Sequence, residues 1–544
     1  MCKKNIHINQ IGYRLEDKKI AITTVKSSSF NIIEENTGNV VFTGELTGGK
    51  YDQYSDDTLY DIDFSALQRP GTYYISLKEG ENSHTFEIGD NIYKDIKNAF
   101  LKFLYYQRCG CNLDKEYTGV WNHKACHDYD AHLFNDEGEK IEITGGWHDA
   151  GDHGRYSVPT AVTIGHLLLA YEFFPDKFND PIGIPNNEKL MPDILDETKY
   201  GLEWMLKMQE SKSGGVYHKV TSKQYPPNDL VPENDKSELI VCPISSTATG
   251  DFAAVMAKAS ITYAKFDIEF SNKCLEASKK AWSWLIENDT YSEFINPNGV
   301  ESFTYADESN QDLDERFWAA CELYRATGDV TYHDFIKKLL EENKFDLFGL
   351  GWSDVGGFGT IAYIRTENYK VNETLYKTLR ESFFNQVELL QKASSTDGYK
   401  ISLCREDYKW GSNMVLLKNA ALFIIAGVLT DDNNYYNIAL DHFDYLLGRN
   451  SLGQSFVTHY GSKAIRYPHH RQCMAYSTEN PIPGVVSGGP NIINLDEQAK
   501  EKFNGRPIAK CFEDNSDFYS VNEVATYWNS LAVFVSACFD RSIG

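Results

Sequence analysis

No run of lysine or arginine occurs in the 544 residues, and 53 basic side chains stand against 78 acidic ones for a formal charge of −25. A chain so acidic repels polyanions unless a local basic patch intervenes, which excludes nucleic acid and anionic membrane as partners and leaves neutral or cationic ligands. No stretch approaches the roughly 20 apolar residues that span a bilayer. The opening MCKKNIHINQIGYR has no apolar run after its lysines, so as given the chain is expected to carry no signal peptide and to stay cytoplasmic; it would be secreted if a leader had been trimmed. The eleven cysteines are an odd number, scattered, and often sit inside apolar helical patterns such as FWAACELY, which argues for reduced core residues over a disulfide framework. Low-complexity tracts, a fixed repeat period and a Ser/Thr/Pro linker are all missing, and a monomer is expected.

What is present changes character once. From residue 4 to about 90, seven short alternating runs (IHINQI, KKIAITTV, SFNIIEE, NVVFTGEL, LYDIDF, TYYISLK, HTFEIG) are separated by turn residues, which suits an antiparallel sandwich of immunoglobulin size. The boundary falls near Gly89-Asp90, giving a sandwich over 1–90 and a second domain over 91–544. Beyond it apolar residues recur at helical spacing in eleven segments, from 92–108 to 521–539, with a twelfth expected in an irregular stretch. Several are apolar on more than one face and are read as buried between neighbours. Long connections at 110–158, 211–246, 289–311, 344–371 and 449–520 are candidate functional loops. A ring of about twelve antiparallel helices, with its long loops gathered at one end, fits this order.

The stretch GGWHDAGDHGRY (145–156) crowds His148, Asp149, Asp152 and His153 among glycines that free the backbone to turn both aspartates toward a cleft. It reads as a metal site, a catalytic carboxylate pair or a polar turn. Near the other end, DNSDFYSVNEVATYWNS places Glu523 at the start of an otherwise apolar helix, where the dipole alone favours a glutamate and where partial shielding would raise its pKa toward that of an acid catalyst. One carboxylate as base and one protonated carboxyl as acid are the minimum for breaking a glycosidic bond. The 34 Tyr, 30 Phe and 9 Trp suit a sugar-stacking cleft, though cores use aromatics too.

Taken in order, GGWHDAGDHGRY, MPDILDETKYGLEWMLKMQ, GGVYHKVT, LLGRNSLGQSFVTHYG, YPHHR, PGVVSGGPN and YSVNEVATYWN resemble family 9 glycoside hydrolases, and INQIGY with its sandwich-like run resembles the immunoglobulin-like module of one subgroup. The resemblance covers nearly the whole chain. It implies an all-β immunoglobulin-like sandwich followed by an all-α (α/α)6 barrel, and an inverting hydrolase of β-1,4-linked glucan or cello-oligosaccharides. It casts Asp152 as the general base, Asp149 as its assistant and Glu523 as the general acid, with His469, Arg471 and Tyr519 lining the sugar. It also implies a structural zinc on Cys109, Cys126, His127 and His148, which spacing alone does not suggest because C-x16-C-H is no common signature; Cys111, two residues from Cys109, is the rival ligand. His153 is read as a polar turn residue. A calcium ion is conceivable on YADESNQDLDER (305–316), which serves equally as a helix-cap region.

Within the same fold, an exo-acting β-glucosidase or exo-β-glucosaminidase working on imported oligosaccharides is the alternative. A non-catalytic sugar-binding protein would have no need of Asp149, Asp152 and Glu523 together. A zinc hydrolase built on HDAGDH needs an open coordination position and a third nearby ligand. The immunoglobulin-like module is expected to support the barrel more than to bind sugar.

Overall fold

The computed structural model describes residues 4–185, 191–306, 311–367, 369, 371–476 and 480–541. The chain divides into two compact units, one of residues 1–103 with 387–544 and one of 104–386.

The strands of the first unit begin with β1 (Ile6–His7), β2 (Gly12–Tyr13), β3 (Ile20–Thr23), β4 (Phe30–Glu34) and β5 (Val40–Gly44). β6 (Thr47–Asp52), β7 (Asp57–Asp63), β8 (Gly71–Leu77) and β9 (Phe86–Ile88) complete them. They form two sheets, in the orders β1-β3-β7-β6 and β2-β9-β8-β4-β5. Alternation along β8, where Tyr73, Ile75 and Leu77 are buried, directs one face of each sheet into a core that includes Ala21, Ile32, Ile62, Phe64 and Phe86.

The sandwich is tied to the later helices of its own unit by buried polar bonds. Asn9, in INQIGY, donates through Nδ2 to Asp444 Oδ1 (2.8 Å), and Gln10 donates through Nε2 to Gly453 O (2.8 Å) and through its backbone to Leu447 O (3.0 Å). Two of the sequence motifs therefore meet as a structural joint. Gly448 of LLGRNSLGQS is glycine of necessity there: its φ is +125°, and a Cβ would stand 2.5 Å from Gln10 Nε2.

Among the described residues the expected helices are present. The stretch after residue 344 yields the twelfth, Gly356–Ile364, which periodicity missed because GGFGTIAYI is glycine-rich and buried on every side. Helices buried nearly all round (Ser157–Phe173, Ser246–Tyr263, Leu313–Thr327, Gly356–Ile364, Ser412–Thr430, Thr526–Phe539) alternate along the chain with amphipathic ones such as Asp193–Met208, Ile268–Glu287 and Val330–Glu342. Ser412–Thr430 is long and apolar enough to cross a membrane, with mean hydropathy 1.7, but 78% of that stretch is buried in protein. Its Asn413 donates to Ser487 O (2.8 Å) and its Asn419 to Ser402 Oγ (3.0 Å), as expected of a core helix.

The long loops also carry strands that helical spacing could not show. Asp136–Ile141, Ala131–Leu133, Leu239–Val241, Lys219–Ser222 and Arg155–Tyr156 lie side by side in a five-stranded sheet. Its edge pairing, Arg155 with Val220 and Tyr156 with Lys219, fixes the exit of the GGWHDAGDHGRY turn before helix Ser157–Phe173 begins.

Candidate active site and metal centre

The turn is held at both ends by backbone bonds. Cys109 N donates to Gly146 O (2.8 Å), His148 N to Gln107 O (2.8 Å), and Gln107 Nε2 returns bonds to His148 O and Ala150 O (both 3.1 Å). Gly146, at φ +76°, lies flat on the Trp204 ring, where a Cβ would come within 2.6 Å. Inside this frame both aspartates are buried, Asp149 at 1% and Asp152 at 8% exposure. Asp149 Oδ2 accepts from Tyr305 OH (2.5 Å), while Asp152 Oδ2 accepts from Tyr156 OH and Gly154 N (both 3.0 Å). Burial and the Asp152 carboxylate push the Tyr156 pKa well above its usual value, so Tyr156 stays a donor. Each carboxylate thus has a tyrosine hydroxyl fixing one oxygen. Tyr156 closes the motif itself, whereas Tyr305 lies 156 residues from Asp149 with no local signal.

Behind the turn, Cys109, Cys126, His127 and His148 are all buried, with their ligand atoms within 4.8 Å of one another. The separations are 3.9 Å between the two sulfurs, 3.7 Å from Cys109 Sγ to His127 Nδ1 and 3.7 Å from Cys126 Sγ to His148 Nε2. A tetrahedral zinc with Zn–S of about 2.3 Å and Zn–N of about 2.0–2.1 Å has edges of roughly 3.3–3.8 Å, and these three separations lie within or just above that range, so the donor set suits the ion. Burial opposes ionisation of Cys109, but the Cys126 thiol, Arg155 and His148 outweigh it and hold the Cys109 pKa well below that of a free thiol. His127 adopts a φ of +48° to face the cluster. The rival Cys111 is half-buried and belongs to neither group of potential metal ligands found among the described residues. His153 bonds Asp235 instead of lying idle in the turn (2.9 Å). Asp235, remote in sequence, is a member that spacing did not suggest.

The second unit of chemistry surrounds Glu523, and here the helix expectation needs correcting. The predicted helix 521–539 is split into Tyr519–Asn522 and Thr526–Phe539, with Glu523 between them in extended backbone (φ −67°, ψ 167°). The reason is sideways hydrogen bonding: His469 N donates to Asn522 O (2.8 Å) and Gly488 N to Glu523 O (2.9 Å), which draws the segment into strand-like pairing with both neighbours. YPHHR and PGVVSGGPN thus form the walls that hold the glutamate. Its half-buried side chain accepts from Trp410 Nε1 (3.0 Å) through Oε2. Trp410 and Tyr519 expose about two-fifths of their surfaces, with ring centroids 5.6 Å apart, and His469 lies 5.6 Å from Tyr519, its Nδ1 donating to Ser516 O (2.7 Å). Arg471 is buried at the start of a short helix, Arg471–Ala475. Trp410 went unnoticed in the sequence; its only signal is an aromatic beside Gly411 just before a mostly apolar helix, Ser412–Thr430.

For calcium, residues 307–310 of the acidic stretch lie outside the described residues. Of the rest, Asp312 neither caps a helix through its side chain nor stands open, because it pairs with Arg316 (2.8 Å). Asp314 Oδ2 accepts from Val355 N (2.7 Å).

The profile of glycosyl hydrolase family 9 matches residues 93–536, and that of the cellulase N-terminal ig-like domain matches residues 2–82. A cellodextrinase of Butyrivibrio fibrisolvens is 37% identical, over 98% of both chains. The crystal structure of a single mutant of a thermostable endoglucanase from Alicyclobacillus acidocaldarius is 36% identical and superposes with a TM-score of 0.93, over 99% of this chain and 100% of that one. A zinc-binding triple mutant of a family 9 endoglucanase, 31% identical, superposes with a TM-score of 0.91 over 97% and 100%.

Proposed function

The chain belongs to glycosyl hydrolase family 9, a β-sandwich followed by an (α/α)6 barrel, and from that premise we propose that it cleaves β-1,4-glucosidic bonds in cello-oligosaccharides. The observation that carries the reading is the rigid turn in which two buried carboxylates each keep one oxygen bonded to a tyrosine. Tyr156 OH and Gly154 N both occupy Oδ2 of Asp152, so Oδ1 takes the proton of the attacking water. Asp149, fixed by Tyr305, orients that water. Glu523 protonates the leaving glycosidic oxygen, its carboxyl steered by Trp410. His469, Arg471 and Tyr519 contact the sugar beside it. Inversion follows because water attacks directly, with no glycosyl-enzyme intermediate. Short soluble substrates are favoured by the full-length similarity to a cellodextrinase. A time course on cellotriose to cellohexaose, resolved by size and anomer, is expected to release the α-anomer first. First-formed β-anomer, or no cleavage of any member, overturns the reading.

The four-residue cluster is proposed to hold structural zinc. A closed Cys2His2 shell leaves no position for water, so the ion cross-links the 109–148 segment behind the turn and takes no part in bond cleavage. Replacing Cys126 by serine is expected to abolish stoichiometric zinc and to destabilise by more than about 4 kcal/mol, a range reached by loss of a metal. The kcat of molecules that remain folded should change far less. An unchanged melting temperature and zinc content would show that Cys126 is not a ligand.

A further inference from the structure

The cluster behind the turn extends one residue further. His127 faces the other donors with Nδ1, and its opposite nitrogen, Nε2, lies 3.3 Å from Asp235 Oδ2. The same oxygen accepts Nδ1–H of His153 at 2.9 Å, and His153 is the neighbour of Asp152 in the turn. Asp235 Oδ1 accepts from Ser237 N (3.1 Å) and Ser237 Oγ (2.6 Å). All three side chains are buried: Asp235 is 1% exposed, His127 2% and His153 7%. His153 Nε2 is buried without a hydrogen-bond partner, so the bond to Asp235 is the polar hold on that ring.

We infer that Asp235 is a positioning residue whose single oxygen Oδ2 anchors both the metal-facing His127 and the turn residue His153, and through His153 sets the position of Asp152. The inference rests on the zinc reading above and deepens it. A carboxylate beyond a metal-bound imidazole fixes its tautomer and ring orientation; here the same carboxylate reaches on to the water-activating turn. Only a carboxylate meets the demand. Both oxygens face donors, and the backbone N–H of Ser237 cannot reverse its polarity, so an asparagine must turn its NH2 toward donors on one side or the other. The neighbouring contacts agree: the His153 ring centroid lies 5.0 Å from that of His148 and 5.7 Å from that of His127, so a displaced His153 presses on both metal-facing rings.

The test uses the full chain and zinc(II) itself, with release to a chelator followed by an indicator dye alongside kcat and KM on cellotetraose. Asp235→Asn is expected to release zinc about 10–100-fold faster and to lose roughly ten- to hundredfold in kcat with KM nearly unchanged, as a small misplacement of a reacting group does. His153→Leu should lose kcat similarly while keeping wild-type zinc release. His153→Asn, whose amide places a donor where Nδ1 stands, should recover most of the rate; a residue acting only through stability would move melting temperature without this split or this rescue. Wild-type kcat in Asp235→Asn or in His153→Leu overturns the inference. Wild-type protein that binds no zinc sinks the zinc reading alone, and positioning is then decided by kcat: loss in both variants with rescue by asparagine upholds it, and no loss overturns it.

Discussion

Asp152→Asn is expected to fold normally and to lose on the order of 10³ in kcat on cello-oligosaccharides and on an activated aryl cellobioside alike. The fold survives because asparagine can place its carbonyl oxygen where Oδ2 stands, still accepting from Tyr156 OH and Gly154 N. What the amide cannot do is accept a proton at its other end, and general base assistance contributes roughly 10²–10⁴. Water must be activated whatever the leaving group, so an activated substrate gives no relief. KM should hold, since no sugar contact is removed. Wild-type turnover of the aryl substrate by this variant would take the base role away from Asp152.

The two centres were not equally legible in the sequence. GGWHDAGDHGRY announces itself because glycines, aspartates and histidines are packed into twelve consecutive residues, and turn chemistry is local. The four metal-facing residues needed the resemblance, since the sixteen-residue gap between the cysteines is filled by a short helix, Lys115–Thr118, and the turn Gly119–Trp121, and has no characteristic spacing. Tyr305, Asp235 and Trp410 could not be assigned from the sequence: each acts across a long sequence separation, through contacts to groups in a different segment, and nothing in a local pattern encodes that. The Glu523 segment misled for a related reason. Its residues read as one largely apolar helix, but three backbone bonds, donated by His469 to Asn522 O, by Gly488 to Glu523 O and by Gly489 to Val521 O, compete with the helical ladder and win at that point. Periodicity reports which side chains are buried, and both halves of the split segment are buried, so it could not register the break. The helix Gly356–Ile364 escaped in the opposite way, since an element buried on all sides has no polar face to give it a period.

Glu523→Gln should separate substrates that Asp152→Asn does not. Glutamine is close in shape, and its carbonyl oxygen can keep the bond from Trp410 Nε1, so the extended link between Asn522 and Thr526 stays as it is. The amide has no acidic proton to give. A sugar alkoxide leaves poorly unless protonated, so kcat on cellotetraose is expected to fall by roughly 10²–10⁴. A dinitrophenolate leaves readily without help, so on the dinitrophenyl cellobioside the loss should stay within about tenfold, the residue of lost electrostatics at the site. The acid limb of the pH–rate profile reports protonation of the base and should persist with the aryl substrate, while the alkaline limb, which reports loss of the acid's proton, should flatten. Equal losses on the two substrates, or an alkaline limb that survives the substitution, would mean that the proton reaches the leaving oxygen from another group. The ratio between the two substrates is more informative than either rate, because a general disturbance of the Glu523 segment would lower both together.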